Sequence, residues 1–542
     1  MMRSHNRPSQ DAVLSRFLQQ LRKALEKNAH FVMKNRQSPL ALRDHFSSVQ
    51  TILGQYREYR PLLTQPEDDL RAANLIVSLG NWPGQWGAFY TWRDELEFAV
   101  NIYKKAGQIR MVAEAAYLLA ELCRISSAEG DLRRARKWST LAVKQAYISK
   151  DTLAVGQAVY VQMQILLNSV RSKTIPALYE RAIRFINNTS PDSGVRLTSL
   201  AFICIPYARF LNRNGKTDKA IQLITEMVDS LPSELGLYLD IHKELYDLRG
   251  ILYWANGNYP AALRDFDLEY GLLNRRPGVK NSNDSNYEMD TLLISVFANR
   301  ALVFSALGQL REAVKMTSQA IELSRKANFF SLLMPQIGNL GWYKLCQGEF
   351  KQGFEYIEEQ LQMAQIAKDE DLEYLAIYNR ASIQMRIGQA SEAYSNLLNL
   401  LNIYKQRKNF SFYAGILIDL SVCNWYLSNT DNAAKHYHQA QSFIAKKQLK
   451  AFEVSILRCG ALFEASKSAR TNLEKALVLA QKSTKKYDEA ACLLHLAYLS
   501  DDVDVKQKYW REAVLLLKYM EAIAWVENKS ADDLVLLPFI SA

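Results

Sequence analysis

The sequence predicts an all-α protein built as an α-solenoid of stacked helical hairpins. A chain of 542 residues is too long for one compact core, because single cores stop growing near 250–300 residues. Its 22 glycines and 13 prolines are few for this length, which favours long helices and short connections. A sequence motif that recurs at a constant spacing indicates that the chain is built from structural repeats.

The repeat is clearest in the second half of the chain. Four turn positions follow one another at equal intervals: Gly308, Gly348, Gly388 and Ser428. Earlier copies are centred on Gly87, Gly130, Gly215 and Gly257, and a degenerate copy lies near Ser172, where Ala182-Ile183 match the second helix. Beyond residue 428 the motif decays but helical spacing persists.

The residue types of the repeat predict its local structure. A small turn residue lets the chain leave a helix through a left-handed conformation without Cβ strain. The small residue five positions later, such as Ala313 or Ala393, lets two antiparallel helices approach closely. One hairpin cannot bury apolar residues on both of its faces, so neighbours must stack.

The repeat divides the chain into five predicted segments. We expect a basic helical cap, the N-terminal half of the solenoid, an inserted loop, the regular 40-residue repeats, and degenerate repeats with a C-terminal cap. The boundaries are 1–70, 71–274, 275–287, 288–450 and 451–542. The loop is rich in Pro, Gly, Asn and Ser, which favour turns.

This pattern resembles the tetratricopeptide repeat (TPR). The resemblance rests on the pairs Leu79-Gly80 and Leu340-Gly341, the turn Gly with an aromatic or aliphatic residue two later, and the following small residues. It implies a right-handed TPR-like superhelix of about ten to twelve hairpins. The 40–43-residue period resembles the sensor arms of STAND-type signalling ATPases and related bacterial transcription activators, although no ATPase motif is present.

The resemblance also implies a concave groove lined by the first helices. Asn299, Asn339, Asn379 and Asp419 occupy one equivalent position, nine residues before each turn. Such a ladder can bond the backbone of an extended partner, or it can tie neighbouring repeats together. The remaining candidate groove residues are Trp342, Tyr378, Arg386 and Tyr426, of types enriched at binding hot spots or in helical cores.

Catalytic and metal-binding motifs are missing from the sequence. There is no Walker loop, GxSxG elbow, HExxH helix or CxxC pair, so we expect no catalytic, cofactor-binding or metal-ligating residues. The six cysteines are widely spaced, which favours buried thiols over a disulfide framework. The pairs His495 with Cys492 and His436 with Cys423 lie close in sequence, but neither belongs to a nucleophile motif.

The charge distribution suggests one alternative partner. Residues 1–63 contain eleven Lys and Arg against four acidic residues, a net charge of +7 in a chain whose total is +11. Such a segment fits an acidic partner such as nucleic acid, or is a solvated helix face, and no nucleic-acid-binding motif supports the former. We expect no membrane partner and a cytoplasmic location, because no apolar run is long enough to span a bilayer.

The sequence therefore leaves three functions open. The first is a non-catalytic TPR-like scaffold or sensor that binds a peptide or partner protein in its groove, within a bacterial signalling or defence assembly. The second is a nucleic-acid-associated regulator that uses the basic N-terminal segment. The third is a substrate or inhibitor of an effector protease, with loop 275–287 as the accessible site. The apolar C-terminal tail, 534–540, either caps the last repeat or docks on a partner.

Overall fold

The protein is helical throughout its described parts. The structure, a computed structural model, describes residues 10–35, 39–63, 65–83, 88–125, 129–167, 169, 171–190, 192–232, 239–274, 287–326, 329–407, 409–447 and 449–539. Within these residues there are twenty-four α-helices, a few short 3-10 turns and no strand. The prediction of an all-α, TPR-like fold is confirmed.

The chain forms two compact units. The N-terminal unit comprises Met1–Asn256 and Leu268–Asp290, and the C-terminal unit comprises Gly257–Asp267 and Thr291–Ala542. The helices of the first are α1 (Gln10–Lys34), α2 (Pro39–Tyr59), α3 (Pro66–Ser78), α4 (Phe89–Lys105), α5 (Ile109–Ile125), α6 (Glu129–Ser149), α7 (Thr152–Leu167), α8 (Ile175–Thr189), α9 (Ser193–Arg213), α10 (Thr217–Ser230) and α11 (Leu239–Ala255).

The division between the units falls within the next two helices. These are α12 (Tyr259–Asn274) and α13 (Tyr287–Ala306). The C-terminal unit then continues with α14 (Leu310–Lys326), α15 (Phe330–Gln347), α16 (Phe350–Ala367), α17 (Glu370–Gln384), α18 (Ala390–Arg407), α19 (Phe410–Tyr426), α20 (Thr430–Lys447), α21 (Glu453–Gly460), α22 (Ser466–Lys482), α23 (Lys486–Tyr498) and α24 (Val503–Tyr519). A 3-10 turn, Ile523–Val526, and a non-helical tail follow.

Each unit has the contact pattern of stacked hairpins. Consecutive helices pack against one another, and alternate helices such as α7 with α9 or α15 with α17 also touch. We call the odd-numbered helices from α3 onwards the first helices of their hairpins. Apolar side chains fill the layers between hairpins and form a long core cluster in the N-terminal unit and smaller adjoining clusters in the C-terminal unit.

The predicted turn chemistry is present in the backbone. Gly308, Gly348 and Gly388 have φ of +75°, +85° and +85°, and Ser428 adopts +58° in the same place. The small residues five positions later are buried. One of them is Gly353, where a Cβ would lie only 3.0 Å from the carbonyl oxygen of Gly341. These positions therefore behave as the repeat predicts.

The N-terminal turns differ from the prediction in detail. Gly130 lies inside the first turn of α6 rather than in the connection before it, since α6 begins at Glu129. Ser172 is in a 3-10 turn that leads into α8, where Ala182 is buried as expected. Gly87, residues 275–286 of the predicted loop and residue 540 of the tail lie outside the described residues.

One helix of the described chain is long and apolar enough to cross a membrane by length and composition. This helix, α9, packs against α7, α8 and α10, with residues such as Ile203 and Ala208 fully enclosed. Core helices of repeat proteins share this composition, so the observation is weak evidence for a membrane span.

Candidate binding face

The predicted Asn/Asp ladder lies on four first helices of the C-terminal unit. Asn299 and Asn339 are half-buried on α13 and α15. Asn379 on α17 is 8% exposed and Asp419 on α19 is 4% exposed. The two later members of the ladder are therefore enclosed by neighbouring repeats, whereas the two earlier ones keep part of their surface.

Asp419 ties two repeats together. The hydroxyl of Tyr378 on α17 donates a hydrogen bond of 2.7 Å to the Asp419 carboxylate on α19. Burial raises the pKa of Asp419 to about 6, although the bond from Tyr378 and the charge of Arg386 oppose that rise. At this rung the structure shows the repeat-to-repeat bond that was one of the two interpretations of the ladder.

Two of the other predicted groove residues, Trp342 and Arg386, lie beside Trp525. Trp342 is buried on α15, and the guanidinium of Arg386 lies 5.8 Å from the ring centre of Trp525. The indole nitrogen of Trp525 donates to the carbonyl oxygen of Cys346 at 3.0 Å. Tyr426, at the end of α19, is half-buried and packs edge-on against Trp425.

The described part of the apolar tail, residues 534–539, packs on the helices of the same unit. Its apolar side chains Val535, Leu536, Leu537 and Phe539 are all at most 7% exposed. Val535 and Leu537 join the apolar cluster of α15 and α23, while Leu536 and Phe539 join that of α17, α19 and α21. The tail thus packs along the first helices of its own unit and not only over the last hairpin.

A buried arginine holds the tail by its backbone. The guanidinium of Arg458 on α21 donates to the carbonyl oxygens of Leu537 and Pro538 at 3.0 and 3.1 Å. The same guanidinium forms an ion pair with Asp488 on α23 at 3.1 Å, where both side chains are at most 3% exposed. Its face also lies 4.7 Å from the ring centre of Phe539.

We call the side of the C-terminal unit that the tail covers its inner side, and the cavity beside Trp342 on that side is small. A cavity of about 20 Å³ is lined by residues of α12, α13, α15 and α23, among them Trp342, Cys346 and Tyr487. That volume holds about one water molecule. Partner binding by the eight predicted groove residues stays a prediction, and a partner at the enclosed ones would have to displace the tail.

The N-terminal unit has a different inner side. Seven polar residues on the first helices α5, α7, α9 and α11 form what we call the polar cluster. Its members are Tyr117, Glu121, Arg124, Tyr160, Gln164, Arg209 and Glu244. All are half-buried except Gln164, which is 9% exposed.

Side chains of this cluster meet across a repeat. The hydroxyl of Tyr160 on α7 lies 3.4 Å from a carboxylate oxygen of Glu244 on α11, although α9 stands between these helices in the stack. Side chains from alternate first helices approach each other only on the concave side of a curved stack. The polar cluster therefore lines the concave face of the N-terminal unit.

An ion pair and a tyrosine occupy the α5 end of the cluster. Arg124 donates two hydrogen bonds to Glu121, at 2.8 and 2.5 Å. Burial opposes the charge of Arg124, but the bonds and charge of Glu121 outweigh it and raise the pKa of Arg124. Burial, together with the charge of Glu121, raises the pKa of Tyr117 far above its ordinary value. Tyr117 is therefore a neutral hydroxyl at physiological pH.

The other end of the cluster has unused donors. Arg209 is half-buried, and among the described residues its guanidinium has no hydrogen-bond partner, although its charge opposes the burial-driven rise in the pKa of Glu244. The amide nitrogen of Gln164 likewise has no partner within the described chain. Gln164 follows Tyr160 by four residues and so shares its helix face. These donors are available to a ligand.

The sequence contained a signal for this cluster that the regular ladder obscured. Glu121 stands nine residues before Gly130, as Asn299 stands nine before Gly308. Arg124 and Arg209 both stand six before their turn residues, where Trp342 is found in the regular repeats. Aligning the irregular early copies on these positions would have found charged residues on otherwise apolar first helices.

A larger cleft lies between α2 and α4 but has no free charged group pointing to a ligand. Its volume is about 410 Å³, and Tyr56, Arg60 and Phe98 line it. Arg60 is paired with Asp69, Tyr56 also donates to Asp69, and Arg57 is paired with Glu95. These charged groups bond to one another and hold the helices of the N-terminal segment together, so they are not available to a partner.

The cysteine and histidine pairs do not have the chemistry of a thiol nucleophile. All six cysteines are free and buried, as expected. Burial raises the pKa of Cys492 and of Cys423 to about 12, and burial with the charge of Arg458 lowers the pKa of His495 to about 4. A nucleophilic cysteine needs the thiolate at neutral pH. No cluster of metal-ligating side chains is present among the described residues.

Comparison with known proteins supports the fold. No protein-family model matches the chain, and no curated protein matches it in sequence. A Rap protein, solved in complex with Competence and Sporulation Factor, matches with a TM-score of 0.53 at 13% identity, over 68% of this chain and 99% of that chain.

Two further solved structures are less similar. NprR in complex with its cognate peptide NprX gives a TM-score of 0.45 at 16% identity, over 67% of this chain and 99% of that one. The STAND protein PH0952 from Pyrococcus horikoshii, with a tetratricopeptide repeat sensor, gives 0.36 at 14% identity, over 87% and 65%. The TM-score of the Rap protein and the stacked hairpins together show that this chain has a TPR-like fold. At such low sequence identity the similarity shows the fold alone and no shared activity.

Proposed function

We propose that this protein is a non-catalytic TPR-like binding module that takes a peptide, or a segment of a partner protein, on the polar cluster of its N-terminal unit. The observation that carries the proposal is the meeting of Tyr160 and Glu244 across a repeat, beside the unbonded guanidinium of Arg209. Tyrosine and arginine are the residue types that dominate binding energy at interfaces. A scaffold or sensor role follows from such a face.

The chemistry of the cluster indicates which ligand it prefers. Arg209 presents a planar set of donors that suits a carboxylate, and Gln164 adds an amide donor for a backbone carbonyl. Glu244 lies beside Arg209 and accepts a hydrogen bond from a peptide N–H. We therefore expect an extended peptide that carries at least one carboxylate, either a side chain or its own C-terminus.

The fold supports a sensor role in a wider assembly. A Rap protein of the same architecture was solved with Competence and Sporulation Factor bound, so the architecture is compatible with a bound factor. We place this chain in a cytoplasmic bacterial signalling or defence assembly, in which occupancy of the concave face is reported to other proteins. The ligand of the concave face in this proposal is a protein or a peptide.

Selection from a displayed library of random peptides on the full chain tests the proposal. The enriched peptides are synthesised with a fluorescent label, and their Kd is measured by anisotropy on the wild-type protein and on Arg209→Glu. We expect Arg209→Glu to weaken binding by about tenfold or more, which is the loss of one hot-spot contact.

Arg196→Glu is the matched control. Arg196 is exposed on the same helix, thirteen residues from Arg209, which places it about 220° around the helix axis. The Arg196→Glu protein should bind the peptides as the wild type does. Both variants should keep the helical circular dichroism spectrum of the wild type. A library that yields no enriched peptide, or peptides that bind Arg209→Glu as tightly as the wild type, would contradict the proposal.

A further inference from the structure

A second concentration of positive charge lies in the N-terminal unit, outside the basic segment at the start of the chain. Residues 104–184 contain fourteen Lys and Arg against six Asp and Glu, a net charge of +8. The segment 1–63 contributes +7, so the remainder of the chain is net negative, at −4. The net positive charge of this protein therefore comes from two regions.

Ten exposed cations of the second region lie on, or directly before, the second (even-numbered) helices of three neighbouring hairpins. They are Lys104 and Lys105 on α4, Arg133, Arg134, Arg136, Lys137 and Lys144 on α6, Lys173 just before α8, and Arg181 and Arg184 on α8. We call this set the basic face. On α6, Arg133, Lys137 and Lys144 follow one another at steps of four and seven residues, which puts them on one side of the helix.

Contacts between the helices show that the basic face is continuous. The ammonium of Lys104 lies 5.5 Å from the ring centre of Trp138, which joins α4 to α6. The guanidinium of Arg181 lies 4.4 Å from the ring centre of Tyr147, and Tyr147 also packs on Phe185, which joins α6 to α8. The cations of the three helices consequently form one surface.

Most of this charge is not neutralised by the protein itself. Among the described residues Arg133, Arg136, Lys144 and Arg184 have no acidic partner, and within the basic face only Arg134 forms an ion pair, with Asp131. Unpaired cations on neighbouring helices repel one another, which an anionic partner would relieve.

The basic N-terminal segment is different in this respect. Arg22 is paired with Asp68 at 2.8 Å, and Arg60 with Asp69 at 2.9 Å. Arg57 is paired with Glu95. These ion pairs dock α1 and α2 on α3 and α4, so much of the N-terminal charge serves the fold. The basic face is the better candidate for an external polyanion.

The composition of the face favours nucleic acid over a lipid surface. Apart from Ile148 near its end, the described part of α6 exposes no large apolar side chain, whereas a helix that lies on a membrane needs an apolar side to insert. Lys and Arg aligned along helices in a chain of pI about 9.1 are the electrostatic footprint of phosphate-backbone contacts. We infer that the basic face of α4, α6 and α8 binds the phosphate backbone of nucleic acid, without reading its sequence.

Binding of a fluorescein-labelled 30-base-pair duplex DNA, followed by anisotropy between 50 and 200 mM KCl, tests this inference on the full chain. The face variant reverses three unpaired charges: Arg133→Glu, Arg136→Glu and Lys144→Glu. For the wild type, log K should fall linearly with log of the salt concentration. The face variant should bind about tenfold or more weakly at 50 mM KCl, and its salt slope should be shallower by about 3.

Two controls carry the same change in net charge. The N-terminal control is Arg16→Glu, Lys23→Glu and Lys27→Glu, and the C-terminal control is Lys446→Glu, Lys467→Glu and Lys475→Glu, all at exposed positions. Both should stay within about twofold of the wild type, since long-range electrostatics alone are screened beyond about 10 Å. Equal losses in all three variants, or a loss confined to the N-terminal control, would overturn the inference.

Competition identifies the class of polyanion. Duplex DNA has one charge per about 1.7 Å of its axis, which is denser than the charge of an extended polypeptide. Unlabelled duplex should therefore displace the probe better than poly-L-glutamate or mixed phosphatidylcholine and phosphatidylserine vesicles at equal charge concentration. Equal displacement by poly-L-glutamate or by the vesicles would show that the partner is an acidic protein or a membrane and would overturn the inference.

Discussion

The two units use the same hairpin but treat its inner side in opposite ways. In the N-terminal unit the first helices α5, α7, α9 and α11 present tyrosine, arginine and glutamate to the concave face, where donors remain unbonded. In the C-terminal unit the corresponding helices are apolar, and the chain's own tail covers them. The repeat determines the stack, and a few positions on each first helix determine whether its inner side binds a ligand or becomes core.

Breaking the anchor of the tail should have the largest effect. Arg458→Met removes the buried cation that faces the Asp488 carboxylate and frees the carbonyl oxygens of Leu537 and Pro538. We expect the C-terminal unit to lose about 3–5 kcal/mol of unfolding free energy. Hydrogen exchange should show faster exchange in α15–α23 and unchanged exchange in α5–α11.

A second variant separates the ion pair from the backbone contacts. Adding Asp488→Asn to Arg458→Met also removes the buried carboxylate that faced the arginine, so part of the lost stability should return. If the Arg458→Met variant without the second substitution had the hydrogen-exchange rates of the wild type, Arg458 would not be what holds the tail.

The N-terminal unit also contains a buried carboxyl group. Glu269 on α12 is fully buried and has Lys243 at 3.6 Å as its nearest cation. Burial, with the charge of Asp247, raises the pKa of Glu269 to about 8 from an ordinary 4.5. The folded state keeps the proton that the unfolded chain releases, so the stability contributed by this group is complete below about pH 4.5 and is lost as pH rises through 8.

Substitution of Glu269 should remove this pH dependence. Glu269→Gln should be more stable than the wild type at pH 8.5 by about 2–4 kcal/mol, and the difference should shrink towards pH 5. Denaturant unfolding at both pH values measures it, with the exposed Glu180→Gln as control. Parallel pH profiles for wild type and Glu269→Gln would contradict the assignment.

Two turn glycines compare a covered turn with an open one. Gly348 and Gly388 both have φ of +85°. A Cβ at position 348 would lie 3.1 Å from the Cβ of Ala524 and 3.2 Å from the backbone nitrogen of Trp525, whereas at position 388 it would meet nothing within 4 Å. Both Ala substitutions incur the left-handed strain of about 1–2 kcal/mol.

Only Gly348→Ala also disturbs the C-terminal residues. It should therefore be less stable than Gly388→Ala by about 1–3 kcal/mol, as overpacking costs. Thermal unfolding of the two proteins side by side measures the difference, and equal melting temperatures would show that Ala524 and Trp525 do not press on this turn.

The same substitution in each unit gives the smallest predicted effects. Tyr378→Phe removes a 2.7 Å bond to the buried Asp419 and should destabilise the C-terminal unit by about 1–2 kcal/mol. Tyr160→Phe removes a 3.4 Å contact to the half-buried Glu244 and should cost about 0.5 kcal/mol or less. Denaturant midpoints in which Tyr160→Phe is the more destabilised protein would reverse the comparison.

The parts of the fold that follow from local chemistry were predictable from the sequence. Positive φ at Gly308, Gly348, Gly388 and Ser428 depends on the residue and its neighbours, and the repeat showed each of these turns. The repeat puts Asn379 and Asp419 on first helices, but whether Asp419 faces a partner or Tyr378 depends on packing between repeats.

The inner faces depend on contacts that are distant in sequence. Trp525 meets Cys346 across 179 residues, and Arg458 meets Leu537 across 79. No periodic pattern contains such pairs, so the sequence predicts both a cap and a docking segment for the tail. In the N-terminal unit, uneven repeat lengths hid the register that brings Tyr160 to Glu244.

The central claim is that the concave face of the N-terminal unit is open to a ligand while the inner side of the C-terminal unit is closed by the tail. A library-selected peptide that contains a photoactivatable residue, cross-linked to the full chain and mapped by mass spectrometry, tests this claim most directly. The account predicts cross-links to α5, α7, α9 and α11. Cross-links concentrated on α15, α17, α19 and α21 would contradict it.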